Sequence, residues 1–388
     1  MSRSGFISRE TGIRERVPGY RRAAIVHDFF VQDGGAERCA VEFSRLLPGA
    51  SIHTSFFDAE RFGDRIDPDR VRTWPLQRLV GPTERFRAFL PLYPIWFSAL
   101  DLSDRRLVLS SSSAFAKAVR TGPRTLHISY VYTPMRYAWD LEGYLDQSSY
   151  SMGMRLGARA IRPLLRRWDR WTAGRPDVIV AISETVRERI RRVWGRDAEL
   201  IYPPVDVAEI PFAPRDDGYL LVAARMLGYR RLDLAVQACT RLNRELIVVG
   251  EGPERARLEA MAGPTVRFLG RVDRDRLLDL FAGCHAYLVP GEEDFGIAPV
   301  EAMAAGRPVV AFRGGGARET VVDGLTGSFF DERTPDSLAD AIKRVDGLTF
   351  DPALIRAHAE RFDTTVFLSA WRALFERLGV DPSLYSRA

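Results

Sequence analysis

The sequence predicts an α/β protein built from two doubly wound, Rossmann-like domains, and three observations carry that prediction. Its 388 residues exceed one ordinary hydrophobic core and suggest two domains. Short apolar runs alternate with helical stretches in both halves, the pattern of parallel sheets covered by helices. Strand ends run straight into glycine turns at Gly34-Gly35, Gly250 and Gly314-Gly315-Gly316. Ligands of such sheets sit outside the carboxyl ends of the strands, so the strand ends are where function is sought.

The first half opens on Ala23-Ala24-Ile25-Val26-His27, a buried-strand pattern that ends at Asp28. After Gly34-Gly35, a helical stripe of Ala36, Cys39, Ala40, Phe43 and Leu47 begins at once. The two glycines let backbone amides approach a phosphate without Cβ obstruction, or simply make a tight turn. Further strands are expected over 51–57, 107–111, 126–131 and 177–182. Ser110–Ser113 reads as a capping cluster for a helix over 114–119. Arg85 to Leu100 is the most aromatic stretch, interrupted by Pro91 and Pro94. It suits a kinked core helix, or an interfacial surface with Arg85 and Arg87 at lipid headgroups. Arg155, Arg159, Arg162, Arg166, Arg167 and Arg170 recur near helical spacing, either a solvated face or a membrane-surface contact.

A strand over 198–205, ending in two prolines, closes the first domain. The next strand, 218–224, runs into Arg225-Met226-Leu227-Gly228-Tyr229-Arg230-Arg231 and a helix with Leu232, Leu234, Ala235 and Ala238 inward. Cations at a strand end suit the charge that gathers on a departing diphosphate; a surface arginine cluster is the plainer alternative. Ile247–Val249 ends at the Gly250 turn. Most informative is Tyr287 to Gly306: a strand ending at Pro290, an acidic loop over 291–296, and a short helix with Pro299 in its first turn. Glu293 lies in the loop and Glu301 inside the helix. The amides of Gly296 and Ile297 would favour an anion by about 0.3–1 kcal/mol, although acids beside a helix start are also ordinary capping charges. Glu319, after the glycine triplet, either neighbours the ligand or caps a helix.

Composition narrows the function classes. Lys117 and Lys343 are its two lysines, leaving 54 arginines among 56 basic residues, which points to base-composition bias. The net charge of +5 permits anionic ligands or lipid, but there is no concentrated nucleic-acid motif. Cys39, Cys239 and Cys284 form neither a disulfide framework nor a zinc site, so a cytoplasmic setting is expected. Residues 1–22 read as a flexible tail rather than a signal peptide, and no apolar run is long enough to span a bilayer. Asp67-Pro68-Asp69 and Asp273-Arg274-Asp275 are D-x-D strings that follow no strand, so no metal is expected.

The string Glu293-Asp294-Phe295-Gly296-Ile297 through Pro299-Val300-Glu301-Ala302-Met303 resembles the signature of retaining glycosyltransferase family 4. So do Ile25-Val26-His27-Asp28 with Gly34-Gly35-Ala36-Glu37-Arg38, and Thr133-Pro134-Met135-Arg136-Tyr137 with Trp139-Asp140. The likeness covers most of residues 23–378 and implies the GT-B arrangement, two Rossmann-like domains facing a cleft. The implied division is 23–205 for the acceptor, 206–362 for the nucleotide sugar, and a helix in 363–388 crossing back. By resemblance, Arg225, Arg230 and Glu293 are catalytic, the arginines carrying the β-phosphate charge and Glu293 orienting the donor sugar. Donor contacts would come from Gly34, Gly35, Tyr132, Gly250, Phe295, Gly296, Ile297 and Glu301, the last on the ribose. Tyr132 stands where the family commonly has a histidine, and Arg230 where it has a lysine. The implied substrates are a nucleotide sugar, with GDP-mannose favoured, and a saccharide or lipid-linked saccharide, with no cofactor. The setting would be the cytoplasm, with the inner face of the plasma membrane as an alternative. A UDP-sugar transferase, a GT-B epimerase and a non-catalytic sugar-nucleotide binder remain as rivals.

Overall fold

The computed structural model describes residues 22–81, 89–141 and 152–386; the expected tail over 1–21 and the residues Arg85, Phe86 and Arg87 lie outside them. Two parallel sheets form. The first holds β1 (Ala23–His27), β2 (Ser51–Thr54), β3 (Val71–Thr73), β4 (Leu107–Ser112), β5 (Leu126–Val131), β6 (Val178–Ala181) and β7 (Glu199–Leu200), in the order β3-β2-β1-β4-β5-β6-β7. The second holds β8 (Leu220–Ala223), β9 (Leu246–Val249), β10 (Val266–Gly270), β11 (Ala286–Val289), β12 (Val309–Phe312) and β13 (Gly327–Phe330), in the order β10-β9-β8-β11-β12-β13. Both are doubly wound: the order reverses between β1 and β4, and again between β8 and β11. Those two reversals mark where each sheet opens a crevice. The contacts divide the chain into two units, the first of residues 1–129, 175–178 and 372–388, the second of residues 130–174 and 179–371.

Within the first unit, β1 is buried along its whole length, pairing Ala23 with Leu107 and His27 with Ser111. The aromatic stretch is core: Tyr93 and Phe97 are buried in the helix Tyr93–Ala99, and Trp96 stacks on Trp74 at 5.7 Å. Near the end of the chain, the Ser386 amide donates to the Leu46 carbonyl at 2.9 Å.

Within the second unit, Leu220, Val222, Val248 and Leu288 of the sheet pack with Leu234, Ala238, Leu338 and Ile342 of two flanking helices. Burial of these side chains is the main favourable term holding sheet and helices together.

Three expected elements differ. The strand over 198–205 shrinks to the two residues of β7, because Pro203 and Pro204 have no N–H for a ladder. Ser110 to Ser112 belong to β4 rather than to a cap, and the helix over 114–119 is only a 3₁₀ turn, Ala116–Ala118. The amides of that turn have a distant partner instead. Asp28 accepts from the amides of Ser113, Ala114, Phe115 and Ala116 at 2.6–3.0 Å. One carboxylate thereby ties the end of β1 to the end of β4.

Candidate active site

The second reversal is built from the turns that leave β8 and β11. Tyr287 begins the tie between them: its hydroxyl donates to the Ala223 carbonyl at 2.9 Å. Gly291 continues it, for a Cβ there would lie 2.5 Å from the Tyr229 carbonyl oxygen and 2.6 Å from that of Arg230. Only glycine lets the two turns approach so closely. The Gly316 amide then donates to the Glu293 carbonyl at 2.8 Å, which fixes the acidic loop against the turn after β12.

The three consecutive carboxylates of that loop each meet arginine. Glu293 pairs with Arg230 from the β8 turn. Burial opposes the charge on Arg230, yet the Glu293 carboxylate and the Tyr229 phenol outweigh it and hold the guanidinium above its ordinary value. Asp294 receives Arg136 Nη2 and Arg189 Nη1, both at 2.6 Å. Burial alone would raise Asp294, but the two guanidinium groups hold it below the usual carboxylate range. Glu292 takes Arg333 at 2.8 Å. The Tyr229 ring lies under two cations, with Arg136 at 5.1 Å and Arg230 at 5.2 Å from its centroid.

Arg231 ends the β8 turn in the left-handed region at φ 51°, unusual for a side-chain-bearing residue. Its guanidinium grips Asp233 in the first turn of the helix Leu232–Leu242, with two bonds at 3.0 Å. That bond supports the tight turn which carries Arg230. Arg225 is exposed just past the end of β8.

The helix Ile297–Ala304 starts with Gly296 as its cap, at φ 94°, and Pro299 sits in its first turn. Its first amides have no partner within the helix, as at any helix start. A Cβ at Gly296 would lie 3.6 Å from Glu293 Oε2, so this cap and the Arg230–Glu293 pair are neighbours. Residues Pro299 to Ala304 are all buried, Glu301 among them. A buried carboxylate needs a partner, and Arg274 supplies it at 2.7 Å.

Other residues singled out from the sequence have structural work. The Phe295 ring is buried against Tyr202 at 5.7 Å and Phe362 at 5.5 Å, which anchors the loop. Gly250 has φ 123°, and a Cβ there would lie 2.1 Å from the Ala224 carbonyl oxygen, so glycine is required by the β8 turn itself. Tyr132 is buried with its ring edge-on to Tyr130 at 5.4 Å. Glu319 caps a helix: it accepts from the amides of Glu184 and Thr185 at 2.7 and 2.9 Å, at the start of Glu184–Trp194. Asp67 and Asp273 are caps too, accepting from the amides of Asp69 and Arg276.

In the first unit, Gly34 caps the helix Gly35–Leu46 in an extended conformation, and a Cβ there would meet Glu37 Oε2 at 2.8 Å. Glu37 is buried, and burial pushes its carboxyl up to about 8 despite hydrogen bonds from Gln32 and nearby backbone. His27 is buried with Nδ1 2.9 Å from Ser111 Oγ, and burial lowers it to about 3.

Beside the acidic loop, the second unit holds a cavity of about 980 Å³ whose wall includes Glu292, Asp294, Tyr229, Thr133 and Arg136. Seven arginines line it against four carboxylates, so it favours an anion. Arg225, Arg230, Glu293 and Glu301 are not on its wall. The sequence-predicted set is therefore brought together only in part. Arg230, Glu293 and Gly296 are adjacent, whereas Glu301 is held by Arg274. Arg136, Arg189, Tyr229 and Arg274 join the site from elsewhere in the chain.

A family model described as glycosyl transferases group 1 matches residues 208–346, and one described as glycosyltransferase family 4 matches residues 33–209. The chain belongs to glycosyltransferase family 4. Its two parallel sheets are those of the family's GT-B fold, which the crystal structure of Anabaena HepE in complex with UDP and glucose shares. That structure superposes with a TM-score of 0.66 at 18% identity, over 92% of this chain and all of that one. Among curated relatives, glycogen synthase of Mycobacterium tuberculosis is 30% identical over 49% of each chain. The GDP-mannose-dependent alpha-(1-6)-phosphatidylinositol dimannoside mannosyltransferase of the same organism is 28% identical over 80% of this chain and 81% of that one. The chain spans about half the length of several of the curated relatives it matches.

Proposed function

We propose that this family 4 member moves a hexosyl group from a nucleoside diphosphate sugar to a saccharide or lipid-linked saccharide, with retention of the anomeric configuration. The observation that carries this reading is the Arg230–Glu293 pair at the β8/β11 reversal, beside the cap of the helix Ile297–Ala304. A donor diphosphate would take the guanidinium as its counter-ion, with Arg225 and the Gly296 and Ile297 amides around it, and release Glu293 to hold sugar hydroxyls. Glu301 would take the ribose by sharing or displacing Arg274. The C1–O bond to the β-phosphate breaks on the face where the acceptor oxygen bonds to C1, and the acceptor's proton passes to the leaving phosphate. Preorganised cations at that oxygen favour the transition state, in which its negative charge grows.

GDP-mannose is favoured as donor by the sequence motifs and by the mannosyltransferase relative that aligns over most of both chains. The test is to incubate the protein with GDP-mannose, UDP-glucose and ADP-glucose, with and without a lipid-linked saccharide extract, and to read nucleotide release and product anomer by NMR. Acceptor-dependent release of GDP with an α-linked product supports the reading. A β-linked product, or donor consumption that needs no acceptor, contradicts it, the latter pointing to an epimerase.

A further inference from the structure

The residues proposed to hold the donor do not explain the cavity of about 980 Å³ next to them, a volume ample for a ligand of its own. Two turns wall that cavity in the same way. In the turn after β8, Tyr229 and Arg231 stand on the wall while Arg230, between them, pairs with Glu293. In the loop after β11, Glu292 and Asp294 stand on the wall while Glu293, between them, meets Arg230. A single pass of chain therefore divides the cavity from the pair that would meet the donor.

The arginines of the wall are of two kinds. Arg136 and Arg189 are half-buried and committed: both bond Asp294, and Arg189 also donates to Thr133 Oγ1 at 2.7 Å. Arg231 is committed to Asp233, which lies off the wall. The other kind is exposed and comes from three separate elements. Arg192 ends the helix Glu184–Trp194, Arg257 lies in the helix Arg255–Met261, and Arg333 lies between β13 and the helix Pro335–Asp346. The Arg192 guanidinium has no carboxylate partner among the described residues. Arg257 pairs with Glu254 at 2.5 Å and Arg333 with Glu292 at 2.8 Å, both arginine side chains being about half exposed. Solvent-facing pairs of this sort hold weakly, so either guanidinium can turn to a stronger anion. A carboxylate suits one guanidinium fork. Three forks brought to one cavity by three elements suit a group with several charged oxygens, a phosphate or a diphosphate.

We propose that this cavity binds the phosphate or diphosphate that joins the accepting saccharide to its carrier, with Arg192, Arg257 and Arg333 as its ligands. An anion seated there lies across one pass of chain from Glu293, the acid proposed to hold the donor's sugar hydroxyls. The assignment rests on the proposed function for calling the ligand an acceptor, but it is tested by binding alone, so either can fail without the other.

The experiment is calorimetric titration of the full chain saturated with GDP or UDP, whichever binds. Inorganic pyrophosphate should bind to that complex, as should a water-soluble prenyl diphosphate disaccharide, and the two should compete. The same disaccharide without phosphate should not bind. Arg192→Gln/Arg257→Gln should weaken both ligands about 100-fold, from about tenfold for each charge-assisted contact, and leave nucleotide affinity within about twofold of the parent. Arg192→Lys/Arg257→Lys should keep most of the binding, because an ammonium still meets phosphate as a point charge. Thermal melts of each variant identify any loss that comes from misfolding. Pyrophosphate that binds only by displacing the nucleotide, or a glutamine pair that weakens the nucleotide equally, merges the cavity with the donor site and overturns the proposal. So does no binding to the complex, or binding unchanged in the glutamine pair. Binding of pyrophosphate without the prenyl diphosphate disaccharide marks a site for free anions and overturns it too. If neither nucleotide binds, the proposed function fails, and the same titrations on the chain alone still decide this proposal.

Discussion

The two strand-order reversals share a topology and are closed in opposite ways. At the first, Asp28 accepts four backbone amides, so the ends of β1 and β4 are joined by groups that nothing in the backbone can release. At the second, the turns after β8 and β11 are joined partly by backbone, at Gly291, and partly by exchangeable side-chain charges, Arg230 with Glu293. Closure by a carboxylate bound to backbone amides stabilises. Closure by ion pair leaves a cation that an incoming diphosphate can claim. The comparison separates a reversal that supports the fold from one that can open to a ligand.

That contrast can be broken by substitution. The largest effect expected is structural: Asp28→Ala leaves four amides, three of them on buried residues, without their acceptor and should cost about 3–5 kcal/mol of stability, measured by urea unfolding. A change below about 1 kcal/mol would remove Asp28 as the anchor. Next come Arg225→Ala and Arg230→Gln, each expected to lower turnover by about 10²–10³-fold. Both should keep the fold, so the melting temperature and the rate must be read on the same samples. Asp294→Asn should cost about 1–3 kcal/mol by weakening two charge-assisted bonds, those from Arg136 and Arg189. Urea unfolding of the single and Arg136→Gln double variants would show whether the two losses are coupled.

A pH dependence is expected in the first unit as well. The folded-state value of Glu37, about 8, lies above that of an unfolded glutamate, so the folded protein binds the extra proton. Its contribution to stability is fully present below about pH 4 and is lost as pH rises through about 8. Glu37→Gln should flatten the decline in melting temperature between those limits. An identical decline in the variant would assign it to another group.

Much of the fold was legible because its signals are local. Apolar runs that stop at glycine turns mark strands, and the Glu293-to-Glu301 string placed loop, helix start and acids within a few residues of where they lie. The partners of those acids were not legible. Asp28 meets residues 113–116, Arg136 and Arg189 meet Asp294, and Arg274 meets Glu301, all across long sequence separations. No periodicity reports such pairs. With 54 arginines in the chain, each guanidinium also looked like its neighbours, so composition hid the few that the acidic loop uses. Tyr229 went unremarked because an aromatic between two glycine- and arginine-rich positions has no spacing signal of its own. The packing of Phe295 was hidden for the opposite reason: its motif is familiar, but the string does not show that its ring belongs to the core with Tyr202 and Phe362.

The most direct measurement is a thermal shift with nucleoside diphosphates on the parent chain and on Arg230→Gln. GDP at about 100 times its Kd should stabilise the parent by about 2.7 kcal/mol, GMP should do so far less, and the difference between the two should vanish in the variant. Equal shifts from GDP and GMP, or a GDP shift that survives the loss of Arg230, would contradict a diphosphate held at the second reversal.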